Sequence, residues 1–174
     1  DYISEAMDQT RGWFYSLLAI GATVFERSPY RHVVVNEQVL DPAGQKMSKS
    51  RGNIVAPWDV LQEFGADAAR LYFLAVSDVW KPKRFDRAAI QESARAFLVT
   101  LKSAYTFFQW YAPGGLPLPA PEPALLARWL RSRLAATVAA VTAAWDAYDP
   151  TAGARALMDF VVADLSQWWI RQSR

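Results

Sequence analysis

Gln45-Lys46-Met47-Ser48-Lys49-Ser50-Arg51-Gly52-Asn53 is the stretch from which the rest of this 174-residue sequence can be read. Lys46, Lys49 and Arg51 put three cations within six residues, Ser48 and Ser50 add two hydroxyls, and Gly52 allows a sharp turn. Ammonium groups neutralise a polyphosphate and hydroxyls orient its oxygens, so the composition suits a phosphate-handling loop. A solvated basic loop has the same composition, and the flanking sequence has to separate the two readings.

On the N-terminal side, Tyr2 and Ile3 suggest a short strand, and Trp13, Phe14, Leu17, Leu18 and Ile20 recur at helical spacing between Asp8 and Val24. Ser28-Pro29 breaks that helix. The β-branched run His32 to Asn36 predicts a buried strand, and Gln38 to Leu40 a second one, so that a short β-hairpin would precede the loop. Asp41-Pro42-Ala43-Gly44 is a turn sequence. On the C-terminal side, Pro57 opens a helix through Phe64 that Gly65 stops, and Asp67 to Ser77 predicts another.

Beyond residue 86 the pattern is helical. Asp86 is a candidate cap for a helix to Tyr111 with Ala94, Phe97, Leu98, Leu101, Tyr105 and Phe108 on one face. Pro113 to Pro123 holds five prolines and two glycines and predicts a stiff loop. A helix from Glu122 to Tyr148 follows, and Asp149-Pro150 opens a last helix carrying Leu157, Phe160, Val161, Leu165 and Trp168. The fold class expected is α/β over residues 1–86 and all-α over 87–174, the latter an antiparallel helical bundle.

Composition narrows the chemistry. About half the residues are apolar, enough to bury a core, and the eight tryptophans are expected in the core or lining a site. With no cysteine and His32 the only histidine, neither a thiolate metal site nor a histidine-based catalytic centre is expected, and a metal would arrive with a nucleotide. The net charge of +2 permits a nucleic-acid partner. No segment reaches the roughly 18 apolar residues of a membrane span, so no membrane partner and a cytoplasmic location are expected. The abrupt start at Asp1-Tyr2-Ile3 suggests an internal fragment.

Lys46 to Ser50 resembles, residue for residue, the KMSKS signature of class I aminoacyl-tRNA synthetases. A given pentapeptide falls at a given position about once in three million, so chance does not account for the match. Gly65-Ala66-Asp67-Ala68-Ala69-Arg70 follows at the spacing that family uses, and Leu165 to Arg171 resembles a late helix of its tRNA-binding bundle. Glu5-Ala6-Met7-Asp8-Gln9-Thr10-Arg11-Gly12-Trp13-Phe14 is similar to the isoleucine-specific branch, with one departure: Ala6 stands where the family usually has glycine.

The resemblance implies the C-terminal part of a Rossmann-like catalytic domain over residues 1–86, then an incomplete helical bundle of the anticodon-binding type over 87–174. It implies activation of L-isoleucine with ATP and Mg2+ and transfer to tRNA(Ile), by a monomeric enzyme. Lys46 and Lys49 would be catalytic, with Ser48, Ser50 and Asn36 also at the ATP, and Glu5, Asp8, Gln9 and Trp13 at the aminoacyl-adenylate. Read without it, Glu5 and Asp8 are helix-start carboxylates, Gln9 is surface and Trp13 is core. Arg128, Arg131 and Arg133 read as a solvated helix face or as tRNA-backbone contacts. No HIGH signature occurs, so the fragment alone is expected to be inactive. The alternatives are a valine-specific relative and a non-catalytic nucleotide- or tRNA-binding module.

Overall fold

The computed structural model describes residues 1–111 and 124–173. The expectations for Pro113 to Pro123 and for a helix start at Glu122 lie outside the described residues. The chain divides into two compact units: residues 1–55 with 76–86, and residues 56–75 with 87–174.

The first unit opens with β1 (Tyr2–Ala6), three residues longer than the sequence suggests. A 3-10 turn (Met7–Arg11) follows, and then α1 (Trp13–Phe25). The single helix expected from Asp8 is thus broken at Gly12, whose φ of −136° and ψ of −116° lie outside the helical region. α1 ends before Ser28-Pro29, where Glu26 turns left-handed at φ 52°. β2 (His32–Asn36) pairs with β1 in parallel, Tyr2 opposite His32 and Ala6 opposite Asn36.

The expected hairpin between β2 and the next strand does not form. β3 (Val39–Leu40) instead pairs in parallel with β4 (Lys83–Arg84). Glu37 and Gln38 also turn their backbone groups away from β2, to Val79 and Lys83. The only antiparallel feature near the loop is a single bridge between Leu40 and Lys46 across the Asp41–Gly44 turn. Phe14, Val79 and Phe85 are the buried apolar side chains of this unit among the described residues.

The second unit holds α2 (Pro57–Phe64), with proline in its first turn and Gly65 at its end, then α3 (Ala66–Ala75). α4 (Arg87–Ala94) runs through a π-helical stretch, Arg95–Val99, into α5 (Thr100–Tyr111) with helical dihedrals at both joins, so residues 87–111 form one helix. α6 (Leu125–Asp146) and α7 (Pro150–Asp159) follow, and α7 passes into a second π-helical stretch, Phe160–Ile170. Asp149 caps α7, its Oδ1 accepting from Ala152 N at 3.0 Å. The core joins Phe97, Phe160 and Val161, with Leu71, Leu98, Leu130, Met158 and Leu165 packed around them. α3 packs on α4 and α7, which is why residues 56–75 group with the later helices rather than with residues 1–55.

The core half of the tryptophan expectation is corrected. None of the eight is buried, and Trp13, Trp58, Trp80, Trp110, Trp145 and Trp168 are exposed. The buried places go to Phe14 beside Trp13 and to aliphatic, phenyl and tyrosyl side chains in the helical unit.

Candidate active site

The residues singled out from sequence for ATP and the adenylate all lie in the first unit, in two groups, and Arg128, Arg131 and Arg133 lie in the second unit. The first group sits where β1 and β2 end together. In open α/β sheets, ligands bind outside the carboxyl ends of parallel strands. Glu5 is exposed one residue before the end of β1, and Asn36, opposite Ala6, donates from Nδ2 to Ser4 Oγ at 2.9 Å and ties the two strand ends. Ala6 has φ −74° and ψ 160°, ordinary extended backbone, so its methyl group introduces no strain of its own.

Gln9 has a structural task here. Its Oε1 accepts from Trp13 N at 2.8 Å and so satisfies the first backbone donor of α1, and its Nε2 donates to Asp8 Oδ2 at 3.0 Å. A Cβ on Gly12 would meet Gln9 Oε1 at 2.6 Å, so a side chain at 12 would displace this cap. Trp13 is 45 % exposed, with its ring centroid 6.2 Å from that of buried Phe14. The core reading of Trp13 is therefore wrong by one residue: Phe14 takes that place.

The second group is the loop. Asp41, 9 % exposed, lies at its base. Its Oδ1 accepts from Gln45 N at 2.7 Å and its Oδ2 from Asn53 Nδ2 at 2.9 Å. Asn53 then spans the loop, its Nδ2 also 3.3 Å from Lys46 O and its Oδ1 accepting from Ser48 N at 2.9 Å. The Asn53 amide, then the Gln45 backbone N–H, hold the Asp41 carboxyl below its ordinary range against the opposing effect of burial; the Ala43 backbone and Arg51 add to the lowering. Gly44, at φ 80°, closes the turn, and a Cβ there would meet Arg84 Nε at 3.2 Å. Lys49–Arg51 form a 3-10 turn ended by Gly52 at φ 67°.

Lys46, Lys49 and Ser50 are exposed, and Ser48 Oγ lies 3.2 Å from Ser50 Oγ. Among the described residues, neither loop lysine is paired with a carboxylate. The loop thus offers two uncommitted ammonium groups and two adjoining hydroxyls on a backbone held from below. Asp41 and Asn53 were not among the residues picked out from the sequence; the signal was a carboxylate and an amide bracketing a basic loop.

Residues 1–86 match the family described as tRNA synthetases class I (I, L, M and V). Across the whole chain, the sequence is 45 % identical to an isoleucine–tRNA ligase of Thermus thermophilus and 45 % identical to one of Deinococcus radiodurans. Residues 1–86 belong to the class I tRNA synthetase family. It spans 17 % and 16 % of the length of those two relatives. The synthetase fold is visible in solved structures too. A Mycobacterium tuberculosis methionyl-tRNA synthetase in complex with methionyl-adenylate matches with a TM-score of 0.79 at 20 % identity, over 99 % of this chain and 34 % of that one. An Agrobacterium radiobacter LeuRS–tRNA–LeuAMS ternary complex matches with a TM-score of 0.71 at 19 % identity, over 99 % of this chain and 27 % of that one.

Proposed function

We propose that this chain is part of an isoleucine–tRNA ligase, which activates L-isoleucine with ATP to isoleucyl-adenylate and transfers it to tRNA(Ile). The observation that carries the specificity is the 45 % identity, end to end, with proteins named for that activity. The chemistry rests on the loop. An amino-acid carboxylate is already ionised at pH 7, so attack on the α-phosphate needs no general base. It needs alignment, and cations where charge builds on the phosphoryl oxygens and the leaving pyrophosphate.

Lys46 and Lys49 are the cations, with Lys49 the principal one, and Ser48 and Ser50 orient phosphate oxygens. Asn36 lies toward the adenine end. Glu5, Asp8 and Gln9 contact the adenylate through ribose hydroxyls and polar atoms near the amino acid, and Trp13 forms part of the isoleucine wall. Gln9 can serve the ligand through its amide only while still capping α1 through Oε1, so its free donor is the Nε2 shared with Asp8. Mg2+ enters with ATP as part of the substrate. Residues 87–174 belong to a helical bundle that binds the anticodon arm, the whole enzyme is a cytoplasmic monomer, and the 174 residues alone form no adenylate.

The test is ATP–pyrophosphate exchange by the full-length protein with isoleucine, valine, leucine and methionine. Exchange fastest with isoleucine is expected, and fastest with valine would move the protein to that branch. Lys49→Ala is expected to cost about 2.7–4 kcal/mol of transition-state stabilisation, the size of a single oxyanion donor. A Lys49→Ala enzyme with near-normal exchange would refute the catalytic role.

A further inference from the structure

We infer that Asn53, held by Asp41, is a positioning residue for the catalytic loop; this rests on the proposed role of Lys46 and Lys49. Four observations converge. Asn53 uses both ends of its amide: Oδ1 on the Ser48 backbone, Nδ2 on Asp41 Oδ2 and near Lys46 O. It therefore holds the backbone at both the first lysine and the first serine of the loop. Its partner Asp41 is buried and has its second oxygen on Gln45 N, so the carboxylate is engaged from two directions. The bridge from Leu40 to Lys46 fixes the other stem of the same loop.

The consequence is electrostatic as well as geometric. Asp41 lies five residues from Lys46 and is the only carboxylate between Glu37 and Asp59. Were it free, it would be the nearest internal counter-ion for the loop lysines. Its oxygens are turned to an amide N–H and a backbone N–H rather than to the ammonium groups of Lys46 and Lys49, so it anchors the loop without pairing with either lysine. A neutral amide at 53 performs this task, whereas a lysine or arginine there would add a further charge to the phosphate-binding surface.

The experiment uses the full-length enzyme and follows ATP–pyrophosphate exchange. Asn53→Ala is expected to lower kcat roughly tenfold to a hundredfold, the effect of losing a hydrogen bond to a charged group, with KM for isoleucine unchanged. Asn53→Asp keeps the acceptor for Ser48 N but sets two carboxylates against each other, and should lose at least as much. Adding Asp41→Asn to Asn53→Asp exchanges the donor and acceptor between 41 and 53 but not the contact to Lys46 O, and should restore part of the kcat lost in Asn53→Asp. A general loss of packing would not be repaired by that exchange.

Near wild-type kcat in Asn53→Ala, or no recovery in the exchanged double variant, overturns the inference. Should Asn53→Ala fail to fold, the Asn53→Asp pair decides alone. Lys49→Ala in the same assay separates the two levels of the argument. If it is active, the ATP-handling reading fails. If it is inactive while Asn53→Ala is normal, only the positioning role fails.

Discussion

At the scale of single residues, the loop divides between what composition announces and what geometry adds. Lys46, Ser48, Lys49 and Ser50 could be picked out because charge and hydroxyl density are visible in a window of nine letters. Asp41 and Asn53 could not, because their partnership spans twelve positions and each looks like an ordinary turn residue. The same limit misplaced Trp13 when the family resemblance was set aside: an apolar stripe does not say which of two adjacent aromatics faces inward, and the structure buries Phe14.

Asp41 carries a pH dependence whose sign follows from its lowered pKa. Its contribution to stability is complete above its ordinary value of 3.8 and is lost as pH falls through the lower folded value. The difference in urea midpoint between the wild-type protein and Asp41→Asn should therefore stay constant from pH 7 to about pH 5 and shrink below about pH 4. A difference that stays flat down to pH 2, or that grows as pH falls, would contradict it.

At the scale of elements, the helix from Pro57 to Gly65 was legible because its two ends carry their own chemistry, a proline where no donor is needed and a glycine where the helix stops. Strand pairing was not legible. β1 and β2 are joined across α1, and β3 finds its partner more than forty residues later. Adjacent short strands suggest a hairpin by default, and nothing local reveals a distant competitor.

The π-helical stretches were missed for a different reason. Phe160, Leu165 and Ile170 are five residues apart, the spacing of an i→i+5 helix, and all three turn toward the packed side. The signal was present but was read with a 3.6-residue period. Phe97 in the first stretch and Phe160 at the head of the second meet in the same core. Phe160→Ala should cost about 3–5 kcal/mol in urea unfolding, the range for a large buried aromatic. A cost below about 1 kcal/mol would mean that these wide turns pack loosely.

At the scale of the whole molecule, the helical unit leaves many large apolar side chains exposed. Leu101, Tyr105 and Phe108 were expected to face inward, yet they stand 40 %, 60 % and 45 % exposed along one side of α5. With Trp169 and Ile170 they line an open apolar groove. Leu134, Val138 and Trp145 are likewise exposed on α6. Periodicity located these stripes but could not say whether anything covers them. The arginines of α6 divide: Arg133 pairs with Asp164 at 2.8 Å, while Arg128 and Arg131 have no carboxylate partner among the described residues. No helix among the described residues is long and apolar enough to cross a membrane. The exposed stripes predict that the 174 residues expressed alone self-associate, with a sedimentation coefficient that rises with concentration, and that Tyr105→Lys with Phe108→Lys reduces this. A chain that stays monomeric at high concentration would show that the groove is not sticky.

The tie between Asp41 and Asn53 also bears on the entropy that binding a phosphate ligand at the loop would cost. Ordering a backbone costs about 1–2 kcal/mol per residue in entropy. A loose loop of this length would meet that cost every time a nucleotide arrived, and would lose it again at every release. Closed at its base, the loop meets most of it once, when the protein folds. Under the proposed function, a nucleotide would then bind and leave without the loop being ordered and melted each time.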